Sequence, residues 1–569
     1  MKKFSIILLA ILSYSAGFSQ NIGINATGTP PHASAMLDIS STNRGLLIPR
    51  MTSAERIAIT TPGRGLLVFD TDNNSFWFYT GAAWSQMSVG SNGWNLTGNA
   101  LTNPATHFLG TTDNQPLRFR VNNLWAGEIH PTNGNLFLGL GSGQINTTGS
   151  NNTATGQGAL TSNANGTFNT GVGYAALYSN TGGQYNTAIG SGALNLNLAN
   201  ANTAIGAESL LANTSGFANS AIGFEALKSN TIGYYNIANG NGALNSNTTA
   251  SNNIAIGSNA LALQSFSNGG VAWSSNNVAV GYNALYSNNP TAIFNGINNT
   301  AIGTSALYKN TFGTANTATG TNALFNNQSG FYNTAIGKDA LINNTDASFN
   351  TAIGYKALFN NNGSYNTANG YQALYNLVGG SNNIAIGFNS GNDPGSPNVN
   401  NTISIGNDGI LNGTNNQVII GNFSTVGYFS HNSWNTFSDA RIKTDIKEEV
   451  KGLDFIMRLK PVTYHKSINA MLALTGSKQT KDFPGKYDIE KIKFSGFLAQ
   501  EVEKAANESG YDFSGIHKPN NSKELYALSY ETFVVPLVKA VQEQQTIINK
   551  QDKLIEDLLK RVTALEQKK

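Results

Sequence analysis

Through the middle of the chain, apolar and polar positions alternate in a short unit that returns about every 17 residues. Its form is Asn-Thr-Ala-Ile-Gly-x-x-Ala-Leu, as at Asn186–Leu194, Asn333–Leu341 and Asn350–Leu358. The unit's glycine recurs sixteen times from Gly156 to Gly421, with the longest intervals around Gly281 and Gly303, where the excess predicts bulging loops. A unit this short cannot hold two helices or a propeller blade. It predicts one coil of two short strands and two turns, stacked at the ~4.8 Å strand separation into a rod on the order of 75 Å long. Stacking sets like residues above like, so that Ile and Leu bury what a lone coil cannot, and Asn and Thr satisfy one another in ladders. Glycine supplies the bend and alanine a close wall. Thr155, Asn239, Thr319 and Asn369 stand where Ile is usual. They read as tolerated ladder positions, as an inter-chain seam or as a ligand groove.

The flanks carry other periods. Gly45-Leu46-Leu47-Ile48-Pro49, Gly65 to Phe69 and Phe76 to Tyr79 predict short strands, with Thr52 to Ile59 as a helical turn. Phe108-Leu109-Gly110 and Leu117 to Val121 continue as β connector. At the far end, Val534, Leu537, Val541, Gln544, Ile548, Gln551, Ile555, Leu558, Val562 and Leu565 fall at alternating steps of three and four. That is a heptad seam, with the continuous helix beginning near Pro536, since proline suits a first turn. The boundaries that follow are 20–90 for an N-terminal β module, 91–145 for the connector, 146–430 for the repeats, 431–535 for an α+β module and 536–569 for a coiled coil.

Charge sharpens the last boundary. Only ten charged side chains lie between Gly156 and Gly421, whereas residues 438–569 hold 41 of the 65 in the chain. A net charge of +3 without a basic face gives no reason to invoke nucleic acid or an anionic membrane. Lys2-Lys3, the apolar run Phe4–Leu12 and the small residues before Ser19 predict a secretory signal over 1–19, too short to span a bilayer. No later segment reads as a membrane span, so the mature chain is expected to be secreted or held at the cell surface by partners. The chain has no cysteine, which excludes disulfides, thiolate metal sites and a lipidated cysteine anchor. No cofactor is called for.

After the repeats the chain reads Ser438-Asp439-Ala440-Arg441-Ile442-Lys443-Thr444-Asp445-Ile446, then Leu459 to Tyr464, Gly496 to Val502 and Leu528-Ser529-Tyr530. This order resembles the endosialidase-type intramolecular chaperone domain, serine-peptidase family 74, found at the ends of phage tail spikes and fibres. The resemblance implies a self-cleaving dyad at Ser438 and Lys443, with Phe437-Ser438 as the bond cut in a single-turnover, serine-endopeptidase-like step. Taken alone, Ser438-Asp439 reads first as a helix N-cap signature. The chemistry needs a base, because a serine hydroxyl is a weak nucleophile, and a lysine serves only if burial or a cation favours its neutral form. Arg441 is a candidate for that cation, or a partner for Asp439 or Asp445; His431 and His465 read as structural. The repeats resemble the head repeats of trimeric autotransporter adhesins, and Arg44 to Trp84 the N-terminal module of tail-fibre-like chains.

These resemblances imply a mainly β, homotrimeric fibre: a β-roll or β-solenoid stalk, a small N-terminal β module, and a chaperone ending in a coiled coil. Its expected partners are itself and a host or environmental glycan or surface receptor. A glycan-degrading spike is the alternative, but hydrolysis needs two carboxylates about 5–10 Å apart, and the repeats offer six acids. Tyr174, Phe224, Tyr355 and Tyr371, each after the repeat glycine, are candidates for glycan contact or for stacking that stiffens the rod.

Overall fold

The computed structural model describes residues 21–87, 98–100, 102–391, 394–408, 413–428, 436–475, 485–519, 522 and 524–568. The predicted signal and His431 lie outside them. Two compact units divide the chain, 1–110 and 111–569.

In the first unit, Ile22–Asn25 and Leu37–Ser40 pair in parallel. A four-stranded sheet follows in the order Arg50–Met51, Leu67–Asp70, Ser75–Tyr79 and Trp84–Gln86. The run Gly45–Pro49 is not the strand its apolar residues predict: Leu46 and Leu47 are exposed, and pairing starts only after Pro49, whose nitrogen cannot donate to a ladder. The helix Ser53–Ala58 opens on a capping box in which Thr52 and Glu55 bind each other's backbone N–H. Inside, Arg56 Nε donates to Asp70 Oδ2 at 2.9 Å with both side chains buried, and the guanidinium lies 3.8 Å over the Trp77 ring.

The second unit opens with the antiparallel strands Leu117–Val121, Leu124–Ile129 and Leu136–Leu138. The last of these pairs in parallel with Thr153–Thr155, the first of sixteen three-residue rungs that run in unbroken parallel register to Val418–Ile420. Each coil therefore has one strand rather than the expected two. The segment ending in Ala-Leu turns instead of extending, because the residue before its alanine and its leucine both enter the left-handed region, as at Ala175 (φ 52°) and Leu177 (φ 54°). That conformation costs roughly 1–2 kcal/mol per non-glycine residue. Complete burial of the leucine, worth about 1.5–3 kcal/mol, offsets much of that cost in the thirteen described coils that carry it. Leu177 N–H still reaches the next coil, donating to Ala193 O at 3.0 Å.

Strand alternation corrects the predicted core. In Asn-Thr-Ala-Ile-Gly the Asn and Ala side chains point inward, so Thr and Ile point out. Ala188, Ala204 and Ala221 are fully buried with the leucines, whereas Ile189, Ile205 and Ile222 are each 37–40% exposed. The rod's interior is Ala and Leu walled by two columns of buried asparagine. In one column Asn169 N–H and Nδ2 both reach Asn152 Oδ1, at 3.0 and 3.2 Å. In the other, Asn180 Nδ2 donates to Asn163 Oδ1 at 3.0 Å, and Gly183 O accepts from both columns. Glycines stack on glycines: at Gly223 (φ +131°) an added Cβ would stand 2.6 Å from Gly240 O. The insertion before Gly281 does not hang free; Trp273–Ser274 pairs with Ala250–Ser251 and Trp273 is buried.

Beyond the last rung Phe423 is buried with Ile468 and Ile489. A second cluster of Phe455, Val502, Ala505, Ala506, Phe513 and Phe533 forms the core of the α+β module. The terminal helix spans Val534–Glu566, with Pro536 in its first turn. No helix among the described residues is long and apolar enough to cross a membrane.

Candidate self-cleavage site

The three sequence patterns of the α+β module converge in space. Val462–Tyr464 pairs antiparallel with Phe494–Gly496, Lys460 Nζ lies 3.1 Å from Glu501, and Phe497 N–H donates to the Tyr530 hydroxyl at 2.9 Å. Ala527–Leu528 pairs with Ile516–His517, which brings Tyr530 to that point. His465 Nδ1 lies 2.9 Å from Glu490 O, a structural contact.

Ser438 and Lys443 are brought together by a single helical turn. Ala440–Ile442 forms a 3-10 turn capped by Asp439, whose carboxylate accepts from Arg441 N–H at 2.8 Å. The turn folds Lys443 back over Ser438, and Lys443 Nζ lies 2.7 Å from Ser438 Oγ. Ser438 is thus not the cap; Asp439 is. Arg441 is committed to Asp439, 2.6 Å away, and this pairing, through the guanidinium first and then the backbone N–H, holds the Asp439 carboxyl below the ordinary aspartate range. Arg441 is therefore neutralised rather than free to repel a charge on Lys443. Residues 436–449 are all exposed in the single chain, with Phe437 92% accessible. The Phe437-Ser438 bond is thus open to water, and Lys443 is exposed along with it.

Elsewhere, two carboxylates of the rod share one lysine. Glu208 and Glu225 both hold Lys228 Nζ at 2.7 Å, which raises the lysine's pKa and leaves a closed ion triad instead of an acid and a base facing a substrate. Of the predicted aromatics, Tyr355 stacks on Tyr371 at 5.2 Å and Tyr371 on Phe388 at 5.1 Å, so these faces cover one another and edges remain. Tyr174 and Phe224 are exposed. Sequence reasoning missed the Arg56–Asp70 pair; the capping box announced its helix, but nothing local announced the partner 14 residues on.

No curated protein and no solved structure matches the chain. Two family models do: residues 23–102 match the one described as phage tail like trimerisation region, and residues 438–511, beginning on Ser438 itself, match the one described as chaperone of endosialidase.

Proposed function

We propose that the chain is the subunit of an exported, trimeric, tail-fibre-like rod whose C-terminal chaperone assembles it and then cuts itself off between Phe437 and Ser438. The observation that carries this reading is the 2.7 Å contact of Lys443 Nζ with Ser438 Oγ at the first residue of the chaperone match. In the cutting step the proton on Oγ passes to a neutral Lys443, and Oγ attacks the carbonyl carbon of Phe437 through a five-membered ring. The C–N bond breaks, the proton goes to the departing Ser438 nitrogen, and a Phe437 ester remains. Water hydrolyses the ester, leaving a carboxylate on Phe437 and a free amine on Ser438.

Because the dyad is exposed in one chain, burial favouring the neutral amine comes from the other two copies, which ties cutting to assembly. Three features support a trimer: the trimerisation match near the N-terminus, the exposed isoleucine column, and a terminal helix with Leu537, Val541, Ile548, Ile555 and Val562 exposed along one heptad seam. The domain boundaries 1–19, 20–90, 91–145, 146–430, 431–535 and 536–569 belong to the same proposal, as does a glycan or surface receptor as the rod's target. Intact mass and native size decide it. Wild type yields a trimer ending at Phe437 and a fragment beginning at Ser438, whereas Ser438→Ala and Lys443→Ala stay full length as trimers; an intact wild-type chain refutes the cut.

A further inference from the structure

The third residue of each rung points outward, and the sixteen of them form one vertical column. Ten are Ile and two are Val; the others are Thr155, Asn239, Thr319 and Asn369. None is charged. At the usual strand spacing and rise, the rung face measures roughly 75 by 10 Å, about 750 Å², close to the ~800 Å² per partner of a stable interface. An apolar strip this long on a lone chain is an association surface. Its steps repeat at the strand separation, so the surface it fits height for height is the same column on parallel copies. That occupant agrees with the trimerisation match that precedes the column in sequence and the exposed helix seam that follows it.

We infer that the four polar residues in this column set the axial register between copies of the chain, an inference that rests on the trimeric reading above. A ladder of near-identical coils is open to slippage by whole coils, because every isoleucine then finds another isoleucine. The polar residues remove that freedom. They stand on rungs 1, 6, 10 and 13, at intervals of five, four and three. Their pairwise separations are three, four, five, seven, nine and twelve rungs, all different. No slip can therefore realign more than one polar pair. In register, each Asn meets its own equivalents, and an amide carries both donors and an acceptor, so three around an axis satisfy one another. Out of register it faces isoleucine and is buried unpaired, the penalty by which a single core Asn fixes register in helical coiled coils. Among the described residues, no hydrogen bond within the chain engages the amide of Asn239 or of Asn369.

The test moves one key by one rung without changing composition. Ile222 and Asn239 are neighbours in the column, so Ile222→Asn with Asn239→Ile exchanges them at exposed positions. The full-length variant is expressed alone and together with a differently tagged wild type, and trimers are counted by native mass spectrometry. The variant forms trimers with itself, and mixed trimers fall at least ~10-fold below the about three-quarters that random sorting gives. Mixed trimers at the random frequency overturn the register inference and leave the trimer standing. A monomeric wild type overturns both. Ile302→Thr with Thr319→Ile supplies a second exchange; if neither variant assembles with itself, position rather than matching matters and the inference falls.

Discussion

Replacing Asn316 by alanine tests whether the asparagine columns, rather than the apolar interior alone, hold the coils together. Asn316 Nδ2 donates to Asn299 Oδ1 at 3.2 Å and to Gly330 O at 2.8 Å, and its Oδ1 accepts the backbone N–H of Asn333 at 3.0 Å. After truncation Asn299 Oδ1 keeps the Asn316 backbone N–H, and Gly330 O keeps Asn327 Nδ2. Only the Asn333 N–H is left with no acceptor, in a place from which water is excluded. One orphaned buried donor costs about 1–3 kcal/mol, and the lost bonds bring the total to about 3 kcal/mol. At 1.4 kcal/mol per decade, amide exchange at Asn333 should accelerate on the order of 100-fold. Exchange in the coil around Ala204 should not change, because coils couple to nearest neighbours. Hydrogen exchange read by mass spectrometry on both peptides measures this. Asn326→Ala, which removes an exposed contact to Asn343, is the control and should shift exchange less than threefold. If Asn316→Ala leaves Asn333 as protected as the control does, the columns are ornament to the leucine interior and the reasoning is wrong.

Three further outcomes are expected. Gly223→Ala combines a glycine-only φ with a Cβ 2.6 Å from the next coil's carbonyl, so it should cost at least ~3 kcal/mol and open the rod to limited proteolysis between residues 223 and 240; an uncleaved rod contradicts it. Burial raises the Asp70 pKa, but the hydrogen bonds from Ser53 and Arg56 outweigh it and hold the group at about 2. A depressed carboxyl contributes stability that is complete above the ordinary aspartate value near 4 and is lost as pH falls toward about 2. The N-terminal sheet should therefore show an acid transition in that window by tryptophan fluorescence, and Asp70→Asn should be weaker at neutral pH with the transition gone. Ile548→Asp with Ile555→Asp touches only exposed positions of one chain, so it should abolish trimers in sedimentation analysis while leaving repeat-coil exchange unchanged.

The period, the stacking and the glycine column were legible because each is a local pattern repeated many times. The direction of isoleucine was misread, although the signal was present. Strict alternation through Asn186-Thr187-Ala188-Ile189 places Ala with Asn and Ile with Thr, and the expectation that large apolar residues go inside overrode it. That expectation holds for a chain that ends at its own surface, and fails where the surface has a further occupant. The second strand was misplaced because left-handed leucine has no sequence signature; it is imposed by the neighbouring coils. At the candidate cleavage site, the five-residue spacing from Ser438 to Lys443 was visible, but the Asp439 clamp on Arg441 and the openness of the whole turn depend on geometry that spacing does not encode.

The burial of Phe423 against Ile468 and Ile489 lies on the rod side of Phe437-Ser438, while its neighbours lie on the other. Ser424 adds a hydrogen bond to Lys486 O at 2.9 Å. The proposed hydrolysis would thus remove a tether and leave a docked pair. With the chain intact, a module that comes loose returns at an effective concentration on the order of millimolar; after the proposed cut its return would be second order in free fragment. On the proposed function, dilution of the fragment, rather than the chemistry, would then set the moment at which the end of the rod is uncovered.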